Sequence, residues 1–363
     1  MFFGIKNGDF SEVSPDDRRS IAADIQLIAI GDKQSPNLLV YDNGEGQHPD
    51  DLPDTFLSLF KGNKTNIPFV QGKYNMGSTG AVVFCGKYRY QLIGSRRAIE
   101  LNKSDDFGFT IVRRHPLSGE EEDSFRSTWY EYFLINNKIP RFKIDEIDLG
   151  LWKRNFISGS IVKLYSYELP RGARSDITLD LWRDLNQFLY HPALPILLYE
   201  DRFKGGHSPS KLMLGNKTRL IIDERDKKEI TIPLAISGHD FGTVSLEVTV
   251  FKHDIKQSEF IKDKAVIFTL NGQVHGSEQR RFISQELGFS MLRDSMLIQV
   301  DCTKIRTSFR QDLFMGSRDR LKGSEKKQVL VDKIINALKS NETLKEINQN
   351  RKNFILRESS EDK

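Results

Sequence analysis

Two cysteines in 363 residues, Cys85 and Cys302, leave no disulfide framework and no cysteine metal site to expect. Charge of one sign is equally scarce. The 54 basic residues face 50 acidic ones, and the net +4 is too small an excess to signal nucleic-acid binding by itself. No apolar run approaches the roughly 18 residues of a membrane span. The opening "MFFGIKNGDF" lacks the basic-then-apolar order of a secretory signal. The seven histidines are scattered, with no His-x-x-x-His pair and no Ser/His/Asp grouping. Internal repeats and low-complexity linkers are also missing. These absences point to a reduced, cytoplasmic chain with no membrane partner. What remains, 38% hydrophobic and 29% charged residues, is a globular composition long enough for two domains.

Along the chain, strands dominate the first half. Apolar segments flank "GDKQSPN", a break rich in turn residues, and the second of them, "NLLVYD", reads as a buried strand. "DDLPDTFLSLFKGNK" reads as a short helix capped by Asp54, with Phe56, Leu59 and Phe60 on one face. "YRYQLIGSRR", "FGFTIVRRH", "STWYEYFLI" and "SGSIVKLYSYEL" alternate as half-buried strands do. "LDLWRDLNQFLYHPAL" switches to helical spacing through Leu181, Leu185 and Phe188, with Pro192 as its stop. "RLIIDE", "EITIPLAI", "TVSLEVTVF", "AVIFTLNGQ" and "SMLIQVDC" read as strands; "SEQRRFISQELGF" and the charged stretch 325–352 read as helical. A boundary is expected in the polar "ELPRGARSD". It gives domains at 1–170 and 171–345, followed by a charged tail at 346–363 whose end should fray.

Two glycine-bearing stretches carry the chemistry. "DNGEG" (42–46) has an Asn-Gly turn as its plain explanation. Its functional alternative is a nucleotide site: Asp42 accepts a hydrogen bond from an adenine amino group, and a glycine beyond it lets backbone approach the flat base. "GKYNMGSTG" (72–80) is either a surface loop or a ring of backbone N–H groups presented to phosphate. It is not a P-loop, since no Gly-Lys-[Ser/Thr] follows at the required spacing. "GSIVKL" (159–164) places Ser160 at the head of a later strand.

In this order the three stretches resemble the GHKL ATPases, the superfamily of type II topoisomerases, the ninety-kilodalton heat-shock chaperone, histidine kinases, MutL and MORC proteins. The resemblance covers roughly the first 165 residues. It implies an α+β chain, with a Bergerat-type sandwich that binds ATP followed by a transducer-like α/β domain. It also implies that Asp42, Gly44 and Gly46 hold the adenine, Gly46 giving the base room. Ser160 stands where a Thr usually supports the network of adenine, Asp and water. Gly72, Asn75, Gly77, Ser78, Thr79 and Gly80 belong to the lid that wraps the phosphates. "VDCTKIRTSFRQDLFMGSRDRLKGSE" resembles the end of the chaperone's transducer, which makes Arg318 the contact to the γ-phosphate and Arg306 the second candidate. A guanidinium suits that role because its planar fork binds phosphate bidentately.

The superfamily also carries a Glu-x-x-x-Asn helix ahead of the Asp box. Its Asn holds the Mg²⁺ that bridges the phosphates, and its Glu activates water. Residues 1–41 do not contain it: Glu12 is followed at the fourth position by Asp16, and neither Asn7 nor Asn37 has a Glu four residues before it. Asp16 and Asp17 have no motif behind them, and Glu45 lies in the adenine turn, far from where a γ-phosphate belongs. The expectation is a chain that starts inside a longer ATPase, or one that has lost hydrolysis. Two functions follow. One is an ATP-driven conformational switch that dimerises on nucleotide and acts on a protein or DNA client. The other is a non-catalytic scaffold that binds partners through "SRR" (95–97) and "IVRRH" (111–115).

Overall fold

The computed structural model describes residues 10–58, 80–101, 106–169, 176–203, 209–315 and 320–361. Arg318, Gly72, Asn75, Gly77, Ser78 and Thr79 lie outside them. The chain is α+β and divides into two compact units: Met1–Asp184 with Leu194–Met213, and Leu185–Ala193 with Leu214–Lys363.

The first unit is built on one large sheet. Its strands are β1 (Ile25–Gly31), β2 (Pro36–Asp42), β3 (Gln91–Arg96), β4 (Asp106–Arg114), β5 (Tyr130–Tyr132), β6 (Arg141–Lys143), β7 (Gly159–Leu164), β8 (Ile196–Glu200) and β9 (Ser210–Met213). They run in the order β5-β4-β3-β7-β2-β1-β8-β9, with β6 also paired to β4. All the pairings are antiparallel except β1 with β8. The expected turn between β1 and β2 is made by Asp32, whose Oδ1 accepts from the N–H groups of Gln34 (2.8 Å) and Ser35 (2.9 Å). Those bonds hold its carboxyl below the ordinary carboxylate range.

Strand alternation gives this sheet two different faces. One carries Leu39, Tyr41, Phe107 and Ile161, which pack with Phe156 and Leu151 from the segment after β6. Tyr41 and Phe107 meet Phe156 edge to face, at 5.8 and 5.2 Å between ring centroids. Burial pushes the Tyr41 phenol up to about 12. The other face carries Asp42, Ser160 and Ser95, aligned across β2, β7 and β3.

The second unit holds a mixed five-stranded sheet: β10 (Lys228–Gly238), β11 (Gly242–Phe251), β12 (Lys264–Leu270), β13 (Gln273–Gln279) and β14 (Met296–Asp301), ordered β10-β11-β14-β12-β13. Its core joins Val248, Val266, Phe268 and Ile298 to Leu330, Ile334 and Leu338. Those last three share one stripe of the helix Glu325–Lys339, whose N-terminus Ser324 caps by accepting from the Lys327 N–H at 3.2 Å.

Several local expectations are overturned. "RLIIDE" is no strand: Asn216–Ile221 is a helix. Pro49–Asp54 is a short helical turn of its own, with His48 accepting from the Asp50 N–H at its start; Leu59 and Phe60 of the expected helix lie outside the described residues. Ser277 to Gln279 extend β13, and only Phe282–Glu286 coils in that stretch. The expected helix is present at Trp182–Phe188, but its buried residues are Asn186 and Gln187, while Phe188 is 48% exposed. Asn186 accepts from Gly215 N–H (2.9 Å) and Gln187 from Lys262 N–H (3.2 Å), so backbone demand outranks the apolar stripe. The helix Glu342–Glu361 continues through most of the expected tail.

Glu200 and Arg202 form a buried ion pair, with Nε–Oε1 at 2.8 Å and Nη2–Oε2 at 2.6 Å and side chains 3% and 0% exposed. Glu200 also accepts from the N–H groups of Ile177 and Arg202, both at 3.1 Å. Glu200→Ala takes the carboxylate away from the buried guanidinium, which still donates to the Lys33 carbonyl at 2.9 Å, and should cost about 3–5 kcal/mol in urea unfolding. Glu200→Leu with Arg202→Met should recover part of that loss.

Candidate functional site

The "DNGEG" turn leaves β2 and crosses the ends of β7 and β3, and local sequence explains how it can. Gly46 has φ +60°, and a Cβ there would stand 1.9 Å from the Arg96 carbonyl oxygen and 2.9 Å from that of Gly159. Gly159, at φ +98°, is its counterpart: a Cβ there would lie 1.9 Å from the Asp42 carbonyl oxygen. Only glycine meets both the backbone angle and the contact.

Hydrogen bonds lock the crossing. The fully buried Ser95 donates to the Gly159 carbonyl at 2.9 Å, accepts from the Gln47 N–H at 2.8 Å and lies 3.1 Å from the Ser160 hydroxyl. The Ala98 N–H donates to the Glu45 carbonyl at 2.8 Å. On the far side Asn43 donates through its backbone to the Asp24 carbonyl (2.7 Å) and through its amide to the Asp24 carboxylate (2.9 Å). Arg154 pairs with the same carboxylate at 2.5 Å.

Asp42 stands at the centre of this frame. Its Oδ1 accepts from the Gly44 N–H at 3.0 Å. Its second oxygen has no hydrogen-bond partner among the described residues. The residue is open to solvent by area, yet protein crowds it on most sides. That crowding raises its carboxyl above the ordinary carboxylate range, and the Gly44 N–H opposes the rise. Among the described residues, then, one oxygen of this carboxylate is fixed and the other accepts no hydrogen bond.

Asp42, Gly44, Gly46 and Ser160 are thus brought together, with Ser160 buried and directly opposite Asp42 in the strand register. Gly80 lies in a helical turn, is exposed and has free space about it. Arg306 is exposed in the second unit, at the start of the helix Thr307–Leu313. Sequence reasoning missed Ser95, Asp24 and Arg154 as parts of the frame. The one legible signal was Gly159 ahead of Ser160 at a strand start.

No group of three or more His, Cys, Asp or Glu residues suited to a metal occurs among the described residues. Asp17 is taken up in a helix cap, its carboxylate accepting from the Ser14 hydroxyl at 2.7 Å. Both cysteines are buried and free, and burial pushes the Cys85 thiol up to about 11. The "SRR" stretch is structural. Arg96 is buried and donates to the carbonyls of Asp145 (2.9 Å) and Ile157 (2.8 Å), and Arg97 pairs with Asp51 at 2.5 Å. In "IVRRH", Arg113 pairs with Glu131 at 2.5 Å, and His115 sits between Glu121 and Glu131, stacked on Trp129. Among the described residues no helix is long and apolar enough to cross a membrane.

No protein-family model matches the chain, and no curated protein sequence matches it significantly.

The crossing should fail with a single methyl group. Gly46→Ala forces the turn off Arg96 and should lose more than about 2 kcal/mol in urea unfolding. Gly80→Ala, at an open position, should lose less than about 0.5 kcal/mol.

Proposed function

We propose that the first unit is an ATP-binding module of the GHKL class, with a Bergerat-type sandwich, and that the second is its transducer. One observation carries this reading: Asp42 ends a central strand with one carboxylate oxygen unclaimed, over a glycine turn, beside the strand that begins Gly159-Ser160. The free oxygen accepts from the adenine amino group, and Gly44 N–H keeps the carboxylate turned toward it. Ser160 and Ser95 fix the height of the floor beneath the base. A raised, crowded carboxyl suits this task, because a neutral donor satisfies it without bringing a second charge.

ATP fits these residues at its base. For Mg²⁺, no group of three or more His, Cys, Asp or Glu residues occurs among the described residues, and residues 1–41 carry no Glu-x-x-x-Asn. The function proposed is therefore nucleotide binding coupled to a conformational switch, with dimerisation on nucleotide and no hydrolytic step assigned to this chain. By the same resemblance Arg318 is the second unit's contact to the γ-phosphate. The scaffold reading is weaker, since most of the charges in its two basic stretches are spent inside the first unit.

Calorimetry with ATP on the wild type and on Asp42→Asn tests the proposal. The wild type should bind, and the variant should bind at least about tenfold more weakly, having replaced a charged acceptor by a neutral amide. Equal affinities, or no binding by the wild type, would sink the reading.

The variant's stability separates loss of site from loss of fold. With its carboxyl raised in the folded chain, Asp42 keeps a proton that the unfolded chain has already released. Its contribution to stability therefore falls as pH rises from the ordinary carboxylate range through the raised value. Asp42→Asn removes that penalty and should melt no lower than the wild type at neutral pH.

A further inference from the structure

The first unit has an apolar cavity away from Asp42. It has a volume of about 250 Å³, and its walls include Leu39, Leu92, Phe107, Phe109 and Ile161. Leu39 faces Lys163 in the β2–β7 register, as Asp42 faces Ser160. Positions 39 and 42 are an odd number of residues apart, so the cavity opens on the opposite face of the same two strands.

The walls are aromatic. Phe142 meets Phe107 and Phe109 edge to face, at 5.6 and 6.1 Å between centroids, and Tyr165 closes another side. Among ten lining residues only Lys163 carries a charge. It is half-buried, and its ammonium lies 5.2 Å from the centre of the Tyr165 ring. No carboxylate among the described residues is within ion-pair distance of it. Burial raises the Tyr165 phenol, so that group stays neutral beside the cation.

The Lys163 ammonium at the edge of this apolar cavity has a ring face but no carboxylate partner among the described residues. The cavity walls, meanwhile, lack the dispersion contacts that a filled interior would have. One ligand chemistry answers both. A flat aromatic body fills a space larger than the roughly 150 Å³ that holds benzene. An anionic group at its end pairs with the cation.

We propose that this cavity is a binding site for a small aromatic carboxylate, its ring between Phe109, Phe142 and Leu92 and its carboxylate on the Lys163 ammonium. The proposal does not rest on the nucleotide reading.

The probe is 2-naphthoate, titrated by calorimetry against the full chain, with 2-naphthalenemethanol as its neutral counterpart. Naphthoate should bind saturably, one per chain, and about tenfold more tightly than the alcohol. Lys163→Met should weaken naphthoate about tenfold and leave the alcohol unchanged, so that the two converge. Leu92→Trp, which fills the cavity, should abolish both. Asp42→Asn should bind naphthoate as the wild type does, which separates this site from the other face. Lys163 has no ion pair to lose among the described residues, so its variant should melt like the wild type. The proposal is overturned if naphthoate fails to saturate at millimolar concentration. It is equally overturned if Lys163→Met binds naphthoate like the wild type, or if Leu92→Trp retains it.

Discussion

A carbonyl oxygen resting where a side chain would begin is the contact on which the open end of the first sheet depends. It occurs twice, at Gly46 against Arg96 and at Gly159 against Asp42, and it draws three strand ends closer than any β-carbon allows. Ser95 then bonds across the gap to the turn and to Gly159. Because the backbone itself is the anchor, Asp42 is held by the frame and not by its own contacts. It can be left underused by the protein, with a single intramolecular bond, and still keep its position.

The sheet serves two chemistries because strands alternate. Along β2, Leu39 and Tyr41 enter an aromatic layer while Asp42 turns to the other side. Along β7, Ile161 and Lys163 follow the first pattern and Ser160 the second. A polar, backbone-laced end and an apolar cavity are thereby carried on the same two strands without mixing. The buried pair of Glu200 and Arg202 does comparable work at the end of β8, satisfying two backbone N–H groups.

How far the fold could be read from the chain followed from where the signal lay. Strands marked by an apolar run or by alternation, such as β2, β4, β7 and β11, were legible, and so was the Asp32 turn. The helix Asn216–Ile221 was not, since "RLII" is β-branched and apolar, yet its buried residues include Asn216, Thr218 and Arg219. The stripe through Leu181, Leu185 and Phe188 misled for a related reason: the amides beside it were needed to satisfy backbone groups 29 and 75 residues away. In the site, Asp42, the two glycines of its turn and Ser160 were legible because close approach leaves a glycine signature. Ser95 was invisible. A serine at a strand end has no spacing that marks it, and its role appears only when β3 lies beside β7.

The one parallel pairing in the first sheet sets the order in which the protein can be made. β1 and β8 are hydrogen-bonded neighbours, yet their paired residues lie about 170 positions apart in the chain. On the ribosome, β1, β2, β3 and β7 can assemble once residue 164 has emerged, with the edge of β1 still bare. Strands β8 and β9 arrive only after the chain has passed through Leu185–Ala193, which belongs to the other unit. During that interval β1 presents an unpaired, apolar edge, the condition under which a nascent chain is most prone to pair with a neighbour. Closing that loop is the entropically costliest pairing of the first sheet among the described strands.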